Sequence, residues 1–236
     1  MNNIIAQVLQ ELEDNIDEKT KISGPRYFKE SVKLHGVKTA KVSAISKKYF
    51  VLIKDREKDQ IFDLCEELWQ SGYLEQSFIA CNWSYYIHKN YTEEDLVVFK
   101  SWLERYVNNW AACDTLCNHT IGTLLEMYPH KVSELKGWAK SENRWMRRGS
   151  AVSLIIPARK GKFLADILDI AEILLLDQDD LVQKGYGWML KAASQSYLEP
   201  VFNFVQDKKG IMPRTALRYA IEKMPDELKR EAMKRE

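Results

Sequence analysis

Gln183-Lys184-Gly185-Tyr186-Gly187 is the stretch on which the fold turns. A polar start followed by small residues recurs in Arg147-Arg148-Gly149-Ser150-Ala151, in Arg214-Thr215-Ala216-Leu217-Arg218 and in Gln76-Ser77-Phe78-Ile79-Ala80. Arg147 and Gln183 are 36 residues apart, Gln183 and Arg214 are 31 apart, and Gln76 precedes Arg147 by 71, about two periods. Two helices per period of thirty-odd residues is the pattern of an α-solenoid, in which each repeat buries its apolar face only against its neighbours. Small residues at the shared positions let adjacent helices approach closely. The expected fold is therefore all-α, a single curved solenoid over 1–236 with about six helical pairs and a concave groove lined by the second helices.

Working outward, apolar residues follow helical spacing almost throughout. Ile61, Leu64, Cys65, Leu68 and Trp69 form one amphipathic face, and Leu164, Ile167, Leu168, Ala171 and Leu175 another. The spacing predicts helices over 61–70 and 74–88, 93–107 and 110–128, 131–141 and 143–156, 163–177 and 179–194, and 197–208 and 212–223. The breaks carry Ser71-Gly72, Pro129, Pro157 with Gly161, Pro200, Gly210 and Pro213. Only 10 Gly and 6 Pro among 236 residues argue against a turn-rich β fold and against disorder.

Lys and Arg total 35 against 34 Asp and Glu, which excludes a globally basic polyanion binder but leaves room for local patches. Lys140, Arg144, Arg147, Arg148, Arg159, Lys160 and Lys162 stand against Glu142 alone within their own stretch. A second basic stretch holds Lys21, Arg26, Lys29, Lys33, Lys38, Lys41, Lys47 and Lys48, with Glu30 as its acid. Such runs are often only solvated faces; two of them on a curved scaffold suit a phosphate-binding groove. Four cysteines are too few for a disulfide scaffold, and no stretch has the basic start and apolar run of a signal peptide or the length of a membrane span. A monomer in a reducing cytoplasm, with no membrane partner, is the expectation.

Chemistry is most legible in Asn108-Asn109-Trp110-Ala111-Ala112-Cys113-Asp114. Trp110 and Asp114 lie one helical turn apart on the same face, a flat indole beside a carboxylate. The competing reading is structural: a core tryptophan, and an aspartate that complements the helix dipole. Trp188 poses the same choice, and its neighbours Gly185 and Gly187, each unfavourable in a helix by about 1 kcal/mol, mark a close approach. Cys113, Cys117 and His119 supply three donors without a fourth, so no metal is expected, and no cofactor motif is present.

The chain resembles the AlkD-like DNA alkylation repair proteins, DNA glycosylases built from HEAT-like helical repeats. The likeness rests on Arg26-Tyr27-Phe28-Lys29 with His35-Gly36-Val37, Glu67-Leu68-Trp69, Asn109-Trp110-x-x-Cys113-Asp114, Ser141-Glu142-Asn143-Arg144-Trp145-Met146-Arg147-Arg148, Gln183-Lys184-Gly185-Tyr186-Gly187-Trp188 and Arg214 to Lys223, in family order. It implies a monofunctional glycosylase that excises N3- and N7-alkylated purines from duplex DNA without sequence preference. By the same resemblance Asp114 is the catalytic carboxylate, and Trp110, Trp188 and Tyr27 are the aromatic residues of the DNA cleft. Arg148, with Arg147, Arg144, Lys38 and Lys184, is implied to contact the DNA backbone. The family is unusual in not burying the damaged base in a pocket. Of the residues that flank Trp110, Asn109 stands where an aromatic can occur in the family, and Ala111 where close catalytic relatives often carry an acid. Two other functions suit the same scaffold: a non-catalytic binder of damaged or branched DNA, and a protein-interaction solenoid.

Overall fold

A computed structural model describes residues 3–234. Among them the chain is all-helical, an α-solenoid of helical repeats, and its one β-type contact is an isolated bridge between Lys33 and Tyr73. It forms two compact units, Met1–Leu116 and Cys117–Glu236.

In the first unit, α1 (Asn3–Glu13), α2 (Glu18–Ser23) and α3 (Thr39–Phe50) precede α4 (Lys58–Gln70), α5 (Leu74–Tyr86), α6 (Asp95–Arg105) and α7 (Trp110–Thr115). The three helices before residue 58 were not among those predicted, although α1 buries Ile4, Ile5, Val8 and Leu12 on one face at helical spacing. α5 is the hub, packing on α3, α4 and α7. Trp69, Trp83, Trp102 and Phe99 fill the core, with Trp83 Nε1 donating to the Ser46 carbonyl at 2.9 Å.

The second unit continues with α8 (Gly122–Met127), α9 (Leu135–Trp138), α10 (Arg144–Val152), α11 (Ile155–Arg159), α12 (Leu164–Ile173), α13 (Asp180–Ala193), α14 (Leu198–Lys208), α15 (Arg214–Ile221) and α16 (Asp226–Met233). α10 packs on α13 and α13 on α15, so the three segments aligned by sequence are successive layers of one stack. Among the first helices α9 touches α12, and α14 touches α15, the second helix of its own pair.

Three predicted helices are interrupted. The segment expected over 110–128 contains a π-helical turn, Leu116–Ile121, between α7 and α8. That expected over 131–141 opens as a 3₁₀ turn, Pro129–Glu134. The one expected over 143–156 stops at Val152 because Pro157 has no N–H to give the Ser153 carbonyl and its ring would crowd it. α8 uses that interruption: a Cβ on Gly122 would sit 2.8 Å from the Ser153 oxygen.

Gly187 marks the tightest approach of α13 to α15. A Cβ there would lie 2.7 Å from both the Ala216 carbonyl oxygen and Tyr219 Cβ. Gly137 in α9 faces nothing within 4 Å. Gly187→Ala should therefore destabilise by about 1–3 kcal/mol, since overpacking against backbone outweighs the helix-propensity gain. Gly137→Ala should stabilise by about 0.5–1 kcal/mol. Urea unfolding midpoints of the two variants should move in opposite directions.

Candidate functional site

The residues singled out by sequence fall into two groups, one in each unit. In the first, Asn109 adopts an extended backbone (φ −152°, ψ 159°) and its side-chain oxygen accepts from the Ala112 N–H at 2.9 Å. Asn109 is 2% exposed, so it is the N-cap that starts α7 immediately before Trp110. A short side chain with an acceptor oxygen at this position supplies that cap.

Trp110 then projects from the first position of α7. One face of its ring lies against Phe28, centroids 5.5 Å apart and planes inclined by 27°. Its Nε1 donates to the Tyr27 carbonyl at 3.3 Å. Tyr27 ends the 3₁₀ turn Gly24–Tyr27 and is 75% exposed. Asp114 follows one turn along α7 and is half-buried. Cys113 and Cys117 are both fully buried, and among the described residues no group of three or more His, Cys, Asp or Glu is placed to hold a metal ion.

The tryptophans sort themselves. Five of the seven, Trp69, Trp83, Trp102, Trp138 and Trp145, are buried to 7% exposure or less. The two that are not are Trp110 and Trp188, the pair picked out by sequence. Full burial in the core holds for the five and not for these two.

Behind Trp110 the first unit holds a cavity of about 270 Å³, lined by residues of α2, α3, α5, α7 and the 3₁₀ turn, among them Tyr27, Phe28, Glu75, Phe78 and Trp110. Glu75 went unnoticed in the sequence because it reads as an ordinary acid in the first turn of an amphipathic helix. It is 4% exposed, and its carboxylate accepts the backbone N–H groups of His35 (3.0 Å), Gly36 (2.8 Å) and Val37 (3.1 Å). Gly36 holds φ +93°, and a Cβ would lie 2.5 Å from Lys21 Cβ, so only glycine suits the turn that presents these donors. His35 stacks on Tyr73 with centroids 4.2 Å apart, and burial pushes its pKa down against the pull of Glu75. The neutral ring accepts from Gln76 Nε2 at 3.0 Å through a bare Nε2.

Lys38 sits just past this turn and is paired with Asp17 at 2.9 Å. Asp17 caps α2 through Thr20 and takes the Gly36 carbonyl with its own N–H at 2.9 Å. Lys48 pairs in turn with Glu11. Lys21, Arg26 and Lys33 are exposed and, among the described residues, have no ion-pair partner. Arg26 adjoins Tyr27; in the sequence it stood in a charge run and in the Arg26-Tyr27-Phe28-Lys29 motif, without a binding role of its own.

In the second unit the basic cluster is far less bare than its own stretch of sequence suggests. Arg144 pairs with Asp179 at 2.7 Å and lies over the Trp145 ring. Arg147 pairs with Asp177 at 2.6 Å and also donates to the carbonyls of Ser141 and Glu142. Lys160 pairs with Glu126 and Lys184 with Asp180. Arg148 is 5% exposed and donates to the Leu181 carbonyl; a Cβ on Gly185 would lie 3.3 Å from its Cγ, so that glycine makes its berth. Trp188 is half-buried on α13, two turns past that carbonyl.

A layered helical stack with a half-buried aromatic and a carboxylate on one short helix defines a class of scaffold rather than a chemistry. The family of DNA alkylation repair enzymes supplies the next step: its signature matches residues 8–224, and the chain belongs to it. Among solved structures it resembles a predicted DNA alkylation repair enzyme from Enterococcus faecalis, with a TM-score of 0.81 and 16% sequence identity over 90% of this chain and 98% of that one. That likeness is one of fold. A comparison with curated proteins found no match. No helix among the described residues is long and apolar enough to cross a membrane.

The Asp17 cluster carries a pH signature. Lys38 and Thr20 hold the Asp17 carboxyl at about 2, below its ordinary value of about 3.9. A carboxyl depressed on folding contributes its full stabilisation above the unfolded value and loses it as pH falls towards the folded one. Asp17→Asn should therefore be less stable than the parent at pH 6, with the gap closing between about pH 4 and pH 2. Urea midpoints of both proteins across that range would reveal it.

Proposed function

We propose that the chain is a monofunctional DNA glycosylase that releases purines alkylated at N3 or N7. The observation that carries this reading is the exclusion of Trp110 and Trp188, alone among seven tryptophans, from the buried set, together with the half-buried Asp114 one turn from Trp110. Family membership supports a role in DNA alkylation repair, and the glycosylase chemistry is our reading of the residues.

Alkylation at N3 or N7 places a positive charge on the purine, so the base leaves without help from a general acid. Its departure develops oxocarbenium character on the deoxyribose. A carboxylate beside C1′ stabilises that charge and orients the attacking water, as in glycoside hydrolysis. Asp114 takes that part. Trp110 is fixed by Phe28 behind it and by the Tyr27 carbonyl at its Nε1, so its π system is offered to the cationic nucleotide in one orientation. Such a contact contributes about 0.5–2 kcal/mol.

Phosphate contacts in this reading begin with the exposed cations of the first unit, Arg26 foremost. Arg144, Arg147, Arg148, Lys184 and Lys38 remain candidates, and each would exchange a present carboxylate or carbonyl partner for a phosphate. A groove of this kind reads backbone geometry rather than sequence. Its affinity should fall steeply with salt.

Two measurements test this. Wild-type protein should release 7-methylguanine from methylated duplex DNA. Asp114→Asn should lose at least about 100-fold in single-turnover rate, the scale of removing one electrostatic stabiliser, while its DNA affinity changes little. An undiminished rate in the variant, or no release by a wild type that binds the DNA, would remove Asp114 or the activity from the reading. Separately, Arg26→Ala should lower DNA affinity for all sequences alike and reduce the slope of log affinity against log salt by about 1.

A further inference from the structure

We infer that Leu34 is a positioning residue for the ring of Trp110. Its side chain, held by the first turn of α5, props the 3₁₀ turn Gly24–Tyr27 at the place from which that turn orients the indole. The inference rests on the glycosylase reading, in which the angle of Trp110 towards DNA matters. It adds to that reading an aliphatic residue that acts only through its neighbours.

The turn needs a prop. α2 and the turn that follows it, residues 18–27, bury no residue. The turn's own backbone bonds are local: the Gly24 N–H goes to the Thr20 carbonyl and the Phe28 N–H to the Pro25 carbonyl at 3.1 Å. Pro25 has no N–H to add. Gly24, Tyr27 and Phe28 also line the cavity of about 270 Å³, so close packing does not fix them on that side. Yet this turn holds Trp110 twice, through the Tyr27 carbonyl at 3.3 Å and through the ring of Phe28. A hydrogen bond of that length is already long, and a retreat of the turn by about 0.5 Å would end it.

Leu34 meets that need. A Cβ on Gly24 would lie 2.6 Å from Leu34 Cδ1, so the leucine methyl occupies the space that any other residue at 24 would fill. The backbone on either side of Leu34 is tied to the start of α5. The Lys33 carbonyl accepts the Leu74 N–H at 3.0 Å, and the His35 N–H is donated to the Glu75 side chain at 3.0 Å. The His35 ring stacks on Tyr73 directly before that helix. α5 also packs on α7, from which Trp110 projects. The helix that carries the indole and the turn that it leans on are therefore both referred to α5, the second of them through Leu34. Displacing a positioned group by about 1 Å can cost about 100-fold in rate, so a smaller shift of the indole suffices for about tenfold.

The test first observes Trp110 without DNA, in the full chain labelled with 5-fluorotryptophan, where the fluorine resonance of Trp110 is identified by its loss in Trp110→Phe. Leu34→Ala should shift or broaden that resonance and leave those of the other tryptophans in place. Leu34→Met, of similar volume, should restore it. Adding Gly24→Ala to Leu34→Ala returns a methyl to the vacated space and should recover the resonance at least in part; Gly24 has φ −54° and ψ −47°, which alanine adopts freely. On methylated duplex DNA, Leu34→Ala should lower the single-turnover rate of base release about tenfold while DNA affinity changes less than about twofold, and Leu34→Met should keep the parent rate. An unmoved Trp110 resonance in Leu34→Ala, a movement of all seven tryptophan resonances together, an undiminished rate, or a fall in rate matched by an equal fall in affinity would each overturn the proposal. No release by the wild type, with the Trp110 resonance still moved by Leu34→Ala, would overturn the glycosylase and leave Leu34 as the prop of Trp110.

Discussion

The Glu75 carboxylate, buried and bonded to the N–H groups of His35, Gly36 and Val37, fixes the one long non-helical stretch of the first unit against α5. A carboxylate that accepts several backbone donors is among the stronger polar contacts a protein makes, and removing it would leave three donors unsatisfied in a buried place. What it holds is more than a loop. The Gly36 carbonyl receives the Asp17 N–H, Asp17 caps α2 and pairs with Lys38, and Lys38 directly precedes α3. The 3₁₀ turn that ends in Tyr27 lies between α2 and this stretch, and its carbonyl orients Trp110. The position of the indole is thus set by a chain of contacts that begins at a residue 35 positions upstream of it.

A different constraint governs the second unit: layers must approach closely while carrying charge. Gly187 brings α13 against α15 and Gly185 makes room for Arg148 between α13 and α10. Close backbone approach leaves little space for solvent, so the arginines of α10 are tied to what the next layer offers. Asp177 and Asp179 precede α13 and meet Arg147 and Arg144, while Leu181 gives Arg148 its carbonyl. These pairs connect one repeat to the next, and part-buried pairs of this kind lose more when one partner is removed than they contribute to net stability.

The repeat pattern was legible because it rests on small residues at fixed positions, and sterics enforces those directly: three of the four aligned segments became α10, α13 and α15, stacked in that order, and the fourth, Gln76–Ala80, lies in α5 of the first unit. Trp110, Asp114 and Trp188 were legible as residue types but not as sites, since the choice between core and surface is made by packing that a single sequence does not display. Charge was legible only in part. Counting along the chain left Arg144 and Arg147 facing one acid, whereas the stacking period brings acids about thirty residues away into contact with them. Glu75 and Asn109 were not recognised as acceptors of backbone N–H groups: the acid reads as an ordinary first-turn residue, while the asparagine carried the usual N-cap signal and was read only within the Asn109-Trp110 motif. Gly36 held the available clue, a glycine between His35 and Val37 where a turn with positive φ presents consecutive donors.

The same contrast bears on how a near-neutral protein would engage a polyanion. Formal charge is shared almost equally between signs, so attraction to phosphate depends on which cations are already occupied rather than on how many exist. In the second unit the arginines of α10 are held by acids and carbonyls of the following layer; in the first, Lys21, Arg26 and Lys33 are exposed around the turn that supports Trp110. A phosphate that binds Arg26 displaces only water, whereas one that binds Arg147 must compete with a carboxylate and two carbonyls. In the function proposed above, electrostatic engagement would therefore favour the neighbourhood of Tyr27 and Trp110. There a backbone contact and a ring contact can form together, with the carboxylate of Asp114 one helical turn further along α7.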